Sequence, residues 1–283
     1  MDCLGRPRDG AATAENMKEA RMRFGCCISR TEDIKKVREA GYDFFEFAGF
    51  AAAKMTESEF DTLCTVSEAE NLPCIGFNAY SAKSPVIVGE GFSADAAREY
   101  ASLLCRRGKR LKIHAVGIGS PLARNMPVGM SRDEADKQFL KFIDVTAEAA
   151  RNYEIDVLIE AVHSGMCNYL TLTHEASAMV KQINLPNVGM VLDFYHMAWM
   201  GEDYSSAEAA APYLRHVHFS TAGNGLQRGF PQKRDEMEYR HIFSVLRNIG
   251  YTGTVSIEPT EFDFLQAKTC LSFMRELAAV YTE

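Results

Sequence analysis

One stretch of the chain, residues 157–193, contains the alternation that decides the fold: VLIEAVHSGMCNYLTLTHEASAMVKQINLPNVGMVLD. It begins and ends with short apolar runs, 157–161 and 188–193, which are typical of buried strands. Between them, residues 173–183 have the spacing of an amphipathic helix. The stretch therefore predicts a strand, a helix and a second strand, the repeating unit of a parallel sheet covered by helices.

The same alternation continues in both directions along the chain. Strand-like runs cover eight ranges: 23–27, 44–47, 74–78, 111–117, 157–161, 188–193, 215–219 and 254–258. Helix-period stretches separate most of them, at 32–40, 57–70, 94–107, 132–153, 173–183, 237–249 and 264–281. No linker rich in Pro, Gly or Ser divides the pattern. We therefore predict an α/β fold with a single (β/α)8 TIM barrel over residues 22–283.

A doubly wound open sheet is the alternative fold for this alternation. It would need a glycine-rich phosphate loop after the first strand, and Cys27-Ile28-Ser29-Arg30 contains no glycine. The barrel is therefore favoured.

Residues 1–21 lack any periodicity, and we interpret them as a poorly ordered leader. They contain Asp2, Arg6 and Arg8 and no apolar segment of the kind that a signal peptide has. Since no run of 18 apolar residues follows anywhere in the chain, no membrane segment is predicted. The eight cysteines form no CxxC pair, which is typical of reduced thiols, and we expect a cytoplasmic location.

Composition favours small-molecule chemistry. The 31 basic and 38 acidic residues give a formal charge of −7, and 47% of the 283 residues are hydrophobic. A negative surface repels phosphate backbones, so nucleic acid is not an expected partner.

Four of the later strands end in residues that commonly bind metal ions. They are Glu160, Asp193, His218 and Glu258, and each follows apolar residues. Because strand ends surround one mouth of a (β/α)8 barrel, four buried polar groups there need a common partner. Three carboxylates and one imidazole favour one divalent ion, Mn²⁺ first, with Mg²⁺, Co²⁺ and Zn²⁺ as alternatives.

Short motifs at these strand ends resemble those of the xylose-isomerase-like TIM-barrel superfamily. They are Glu-Ala-Val-His at 160–163 with Asn168, Leu-Asp-Phe-Tyr-His-Met at 192–197, His-Val-His at 216–218 followed by Arg228 and Pro231, and Ile-Glu-Pro at 257–259. Within it, the chain is most similar to the sugar phosphate isomerase/epimerase group that includes ketose 3-epimerases. The resemblance implies proton transfer next to a carbonyl, through an enediolate, on a small ketose, sugar acid or sugar phosphate.

The resemblance also implies roles for individual residues. Glu160 and Glu258 would share the proton transfer in addition to holding the ion, while His196, in the loop after Asp193, and Arg228 would bind substrate oxygens. Asn78 and His163 are further candidate substrate contacts. One departure concerns position 166, where the group has an acidic residue and this chain has Met166. Either His163 replaces that contact or the substrate differs.

Other functions are open at this level. An inosose-type dehydratase would use the same proton abstraction and then expel a hydroxyl group. An apurinic-site endonuclease-like hydrolase would gather three zinc ions with many more histidines than the seven present. A barrel that binds without catalysis is a further alternative. Met197, Trp199, Met200 and Tyr204 form an apolar patch that could serve a homodimer or homotetramer.

Overall fold

The structure is a computed structural model that describes residues 22–222 and 227–282. The predicted leader, residues 1–21, lies outside the described residues, so its order stays a prediction. None of the helices in the described ranges is both long enough and apolar enough to cross a membrane.

Eight parallel strands form a closed barrel. The strands of the chain are β1 (Arg23–Ile28), β2 (Phe44–Ala48), β3 (Cys74–Asn78), β4 (Ala115–Ile118), β5 (Asp156–Glu160), β6 (Val188–Asp193), β7 (Leu214–Phe219), β8 (Thr221–Ala222), β9 (Arg228–Gly229) and β10 (Thr254–Ile257). Strands β8 and β9 form a separate antiparallel hairpin, and the barrel closes where β1 pairs with β10. The predicted (β/α)8 barrel is confirmed, and the doubly wound sheet is wrong.

Helices cover the outside of the barrel. They are α1 (Asp33–Ala40), α2 (Gly49–Lys54), α3 (Glu57–Ala69), α4 (Ala94–Leu111), α5 (Arg132–Arg151), α6 (Thr173–Ile183), α7 (Phe194–Met200), α8 (Ser206–Ala210), α9 (Glu236–Asn248) and α10 (Phe264–Thr282). Helix α3 begins with a capping box in which Thr56 and Glu59 satisfy each other's backbone N–H groups. Helix α1 ends at Gly41, whose φ of 96° is in the left-handed region.

The boundary between α4 and β4 differs from the predicted one. The apolar run at 111–117 predicts a strand from residue 111, but Leu111 is the last residue of α4. Its side chain is buried on the same helix face as Leu104 and Gly108, so burial of that face extends the helix by one more turn. Lys112, at a φ of 60°, then ends the helix, and the strand begins at Ala115.

Polar side chains line the upper interior of the barrel, where the carboxyl ends of the strands meet. The parallel register places Asp193 of β6 opposite His218 of β7, and His218 opposite Ser256 of β10. Because side chains alternate along a strand, His216 and His218 point to the same side, while Val217 between them packs into the hydrophobic core.

Candidate metal centre and active site

The four predicted metal ligands converge at the mouth of the barrel. One ligand atom from each of Glu160, Asp193, His218 and Glu258 lies within 4.8 Å of all the others. The Nδ1 atom of His218 is 3.2 Å from Oε1 of Glu160 and 3.4 Å from Oε2 of Glu258. The first three residues are buried and Glu258 is half-buried. Strands that are far apart in sequence therefore place three carboxylates and one imidazole close together at the mouth of the barrel.

The electrostatics of this group fit a bound cation. Burial, together with the neighbouring Glu160 and Glu258, raises the pKa of Asp193 to about 7 in spite of Arg228. Burial alone would lower the pKa of His218, but Glu46 and the carboxylates around it raise that pKa well above its usual value. Both ring nitrogens of His218 face carboxylate oxygens, Nε2 toward Glu46 and Nδ1 toward Glu160 and Glu258. Three carboxylates crowded in this way suit a divalent cation with oxygen and nitrogen ligands.

Arg228 lies against the same carboxylates. Its guanidinium donates to Oδ2 of Asp193 at 3.1 Å and to Oε2 of Glu258. The backbone of Arg228 is fixed by Thr260, whose Oγ1 accepts from the Arg228 N–H at 2.8 Å. Burial raises the pKa of Glu258, but Arg228 and His218 outweigh it and hold that pKa at about 2. Arg228 therefore faces the site rather than solvent.

His196 lies in α7, so the prediction that it belongs to a loop is wrong. Helix α7 begins directly after Asp193, whose Oδ1 accepts the backbone N–H of Tyr195 at 2.8 Å. This short helix places Nε2 of His196 3.5 Å from Oδ2 of Asp193, with the ring buried. Burial and the charge of Arg228 lower the pKa of His196 well below its usual value, so the ring is neutral.

His163 is fully buried and stacks on Trp199, with ring centroids 4.2 Å apart. Its Nδ1 accepts the Gly165 N–H at 3.1 Å, so in the neutral ring the proton is on Nε2. Within the described residues, Nε2 has no hydrogen-bond partner. Of the predicted apolar patch, Met197 is buried, and Trp199 is 45% exposed. His163 thus offers a free donor beside an aromatic ring.

Asn78 ends β3 and contacts Glu258. Its Nδ2 donates to Oε1 of Glu258 at 3.1 Å, while its Oδ1 has no partner in the part of the chain that the structure describes. All eight residues predicted for the site therefore lie in or beside one cluster. His163 contacts this cluster through its backbone N–H, which is 3.4 Å from Nδ1 of His196.

Known proteins share this fold. The model of the xylose isomerase-like TIM barrel family matches residues 34–277. The chain belongs to this family.

One curated relative and two solved structures are similar to this chain. The D-psicose 3-epimerase of Agrobacterium fabrum is 26% identical over 232 residues, which cover 80% of this chain and 78% of that protein. The crystal structure of D-psicose 3-epimerase from Clostridium cellulolyticum H10 with D-tagatose has a TM-score of 0.74 at 18% identity, covering 91% of this chain and 99% of that one. The IOLI protein with a bound zinc atom has a TM-score of 0.70 at 17% identity, covering 92% and 98%. Both structures support the fold.

One buried residue of this xylose isomerase-like barrel was not predicted as part of the site. This residue is Glu46 of β2. Its Oε2 lies 2.9 Å from Nε2 of His218, and its Oε1 lies 3.0 Å from Nε2 of His216. Burial raises the pKa of Glu46, but the two histidines outweigh it and lower that pKa, so the carboxylate is ionised. The sequence contained one signal, a single carboxylate inside the apolar run Phe44-Phe45-Glu46-Phe47.

Proposed function

We propose that this protein is a divalent-metal-dependent sugar isomerase or epimerase that moves a proton on the carbon next to a carbonyl group. The convergence of Glu160, Asp193, His218 and Glu258 carries the proposal, because three carboxylates and an imidazole hold both the ion and the acid/base groups such a reaction needs. The similarity to D-psicose 3-epimerase favours a ketose among the substrates considered, which also include sugar acids and sugar phosphates.

The four ligands would hold one divalent ion, with Mn²⁺ as the first candidate. When bound, such an ion polarises a substrate carbonyl and the adjacent hydroxyl and stabilises the enediolate that forms when the proton leaves. The formal charges favour a cation here: the three carboxylates (−3) and Arg228 (+1) leave a net charge of −2, and the ionised Glu46 lies beside them. A divalent cation reduces the cost of leaving that charge unpaired in a buried site.

Glu160 and Glu258 are the proposed acid/base pair. They belong to β5 and to the residue after β10, with β6 and β7 between them in the barrel. A flat enediolate lying between them presents one face to each carboxylate. One of the two, as a carboxylate, takes the proton from the carbon, and the other, in its carboxylic acid form, gives its proton to the opposite face in an epimerisation. Proton exchange with solvent then restores both groups. No net oxidation occurs, since the proton removed from substrate is replaced by another.

Arg228, His196 and His163 are the proposed substrate donors. Arg228 supplies the positive charge nearest to the carboxylate cluster. The unpartnered Nε2–H of His163, beside the ring of Trp199, can donate to a substrate hydroxyl. Position 166, where the resembled group has a carboxylate, is Met166 here. If His163 replaces that contact, it would donate through Nε2–H, and the substrate's terminal hydroxyl would act as acceptor.

The test is product formation from a panel of sugars. Protein stripped with EDTA and reloaded with Mn²⁺ is incubated with D-psicose, D-fructose, D-tagatose and their phosphates, and the products are followed by NMR. We expect interconversion of epimers or of ketose and aldose, dependent on the added ion. Loss of one water per sugar would identify a dehydratase instead, and no reaction with any sugar would contradict an isomerase.

A further inference from the structure

Glu46 contacts the candidate metal centre without being one of its four ligands. The side chain is 7% exposed and reaches across the barrel interior, since β2 and β7 are not neighbours in the sheet. Its Oε2 is 2.9 Å from Nε2 of His218, and its Oε1 is 3.0 Å from Nε2 of His216. One carboxylate therefore joins the two histidines of the His-Val-His motif.

The contacts of His218 indicate which of its two nitrogens keeps its hydrogen when a metal ion binds. An ionised carboxylate only accepts hydrogen bonds, so the His218 nitrogen that faces Glu46, Nε2, must carry hydrogen. In the neutral imidazole the lone pair is then on Nδ1, the atom that lies 3.2 Å from Oε1 of Glu160. We propose that Glu46 is a positioning residue, which holds His218 in the tautomer and orientation that present Nδ1 to the metal ion. This inference rests on the proposed function, because it assumes that His218 is a ligand.

The carboxylate of Glu46 is itself held in place. Cys27 donates its thiol hydrogen to Oε2 at 3.4 Å, and burial together with Glu46 raises the pKa of that thiol, so it stays protonated. A β-carbon on Gly76 would lie 3.1 Å from Oε1, so the glycine leaves the space that the carboxylate uses. His216 is fixed in turn through Nδ1, 2.7 Å from Oγ1 of Thr254. Contacts on both oxygens therefore fix the carboxylate that orients His218.

A competing assignment uses the same residues differently. Cys27, Glu46 and His218 also lie close enough together to hold an ion of their own. That ion would need the lone pair on Nε2 of His218, and Nδ1 would then carry the hydrogen. The group offers one carboxylate and one thiol, whereas the other offers three carboxylates. Carboxylate-rich sets suit hard divalent ions, so the charges favour Nδ1 as the ligand atom.

The tautomer can be measured in the wild-type protein. Protein labelled with ¹⁵N-histidine and loaded with diamagnetic Zn²⁺ is examined by long-range ¹H–¹⁵N NMR, which distinguishes metal-bound, protonated and bare ring nitrogens. We expect His218 with a metal-bound Nδ1 and a protonated Nε2. A metal-bound Nε2 would overturn the inference and place the ion at Cys27 and Glu46. This measurement uses the wild-type protein, so its result does not depend on whether a variant folds.

The second measurement is the Mn²⁺ affinity of the Glu46→Gln variant. Glutamine keeps the size of the side chain but has no negative charge, and an NH₂ group replaces one of the two oxygens that face His216 and His218. Groups that support a metal ligand in this way typically contribute 10- to 100-fold in affinity, so we expect Mn²⁺ binding, followed by the EPR signal of the free ion, to weaken by about 10-fold or more. Glu202→Gln is the matched control, because Glu202 is a partly buried carboxylate that caps Thr173 at the start of α6.

The outcomes separate this inference from the proposed function. If wild type binds Mn²⁺ and turns over sugars, and Glu46→Gln binds Mn²⁺ as tightly as wild type and Glu202→Gln, the inference alone is wrong. If wild type binds neither Mn²⁺ nor Zn²⁺, both the proposed function and the inference are wrong. Weaker binding in Glu46→Gln together with a changed ¹⁵N pattern at His218 supports the positioning role, since a general loss of stability would not alter the tautomer.

Discussion

A β-carbon on Gly119 would lie 2.4 Å from Oε2 of Glu160, so the Glu160 carboxylate occupies space that only glycine leaves open. Gly119 directly follows β4, and Glu160 ends the neighbouring strand β5. The backbone carbonyl of Glu160 also accepts a hydrogen bond from Nη2 of the fully buried Arg124 at 2.9 Å. The proposed acid/base residue is therefore positioned both at its backbone and at its carboxylate.

Gly119→Ala should reduce turnover with little effect on folding. The added methyl displaces the Glu160 carboxylate, and misplacement of a catalytic group by about 1 Å can cost about 100-fold in rate. We expect kcat to fall by about 10- to 100-fold while the melting temperature changes little. Gly117→Ala is the control, because the nearest atom to its β-carbon would be 3.7 Å away. Equal rates in the two variants would show that the position of Glu160 does not limit catalysis.

Asp193 variants should lose the metal ion. We expect Asp193→Ala and Asp193→Asn to retain less than about a tenth of the wild-type Mn²⁺ after dialysis, measured by elemental analysis, since a lost ligand should cost at least as much as a lost supporting group. The Asn variant separates metal binding from helix capping, because the Asn side chain can still cap α7 as Oδ1 of Asp193 does. Wild-type metal content in both variants would remove Asp193 from the ligand set.

His163→Phe should weaken substrate binding more than it slows catalysis. Phenylalanine can keep the stacking on Trp199 but has no N–H to replace Nε2, and one hydrogen bond contributes about 1 kcal/mol. We therefore predict that KM rises about five-fold and that kcat changes less, measured with the best substrate of the panel. An unchanged KM would make His163 a packing residue.

The exposed side chain of Trp199 should serve an interface between copies of the chain. Trp199 is 45% exposed and offers an apolar surface that association would cover. We expect light scattering at micromolar concentration to give a mass of two or four times 31.5 kDa, and Trp199→Ser to shift it toward the monomer. A monomeric wild-type protein would contradict the predicted homodimer or homotetramer.

The barrel and its four candidate ligands could be predicted because their signals are local. Each strand is an apolar run, and a polar residue at its end can be recognised without knowing which strand lies beside it. In a closed parallel barrel those ends meet, so Glu160 and Glu258 come together although they are 98 residues apart, the difference of their numbers.

Residues whose role depends on a distant contact could not be predicted in this way. Glu46 is one carboxylate in an apolar strand, and its role appears only where it reaches His218, 172 residues further along the chain. His196 was expected in a loop because the seven residues of α7 are too few to show a helical period. The helix depends on Asp193, which caps it through Oδ1.

The exchange of substrate hydrogen with solvent tests the central claim most directly. Mn²⁺-loaded wild type, Glu160→Gln and Glu258→Gln, each shown to carry its ion, are incubated with a ketose substrate in D₂O, and deuterium on the carbon next to the carbonyl is measured by NMR. Because general acid/base catalysis typically contributes 10²- to 10⁴-fold, we predict ready exchange in wild type and a rate at least about 100-fold lower in each variant. Exchange at the wild-type rate in metal-loaded Glu258→Gln would contradict the account, because Glu258 would then be a metal ligand and not an acid/base group.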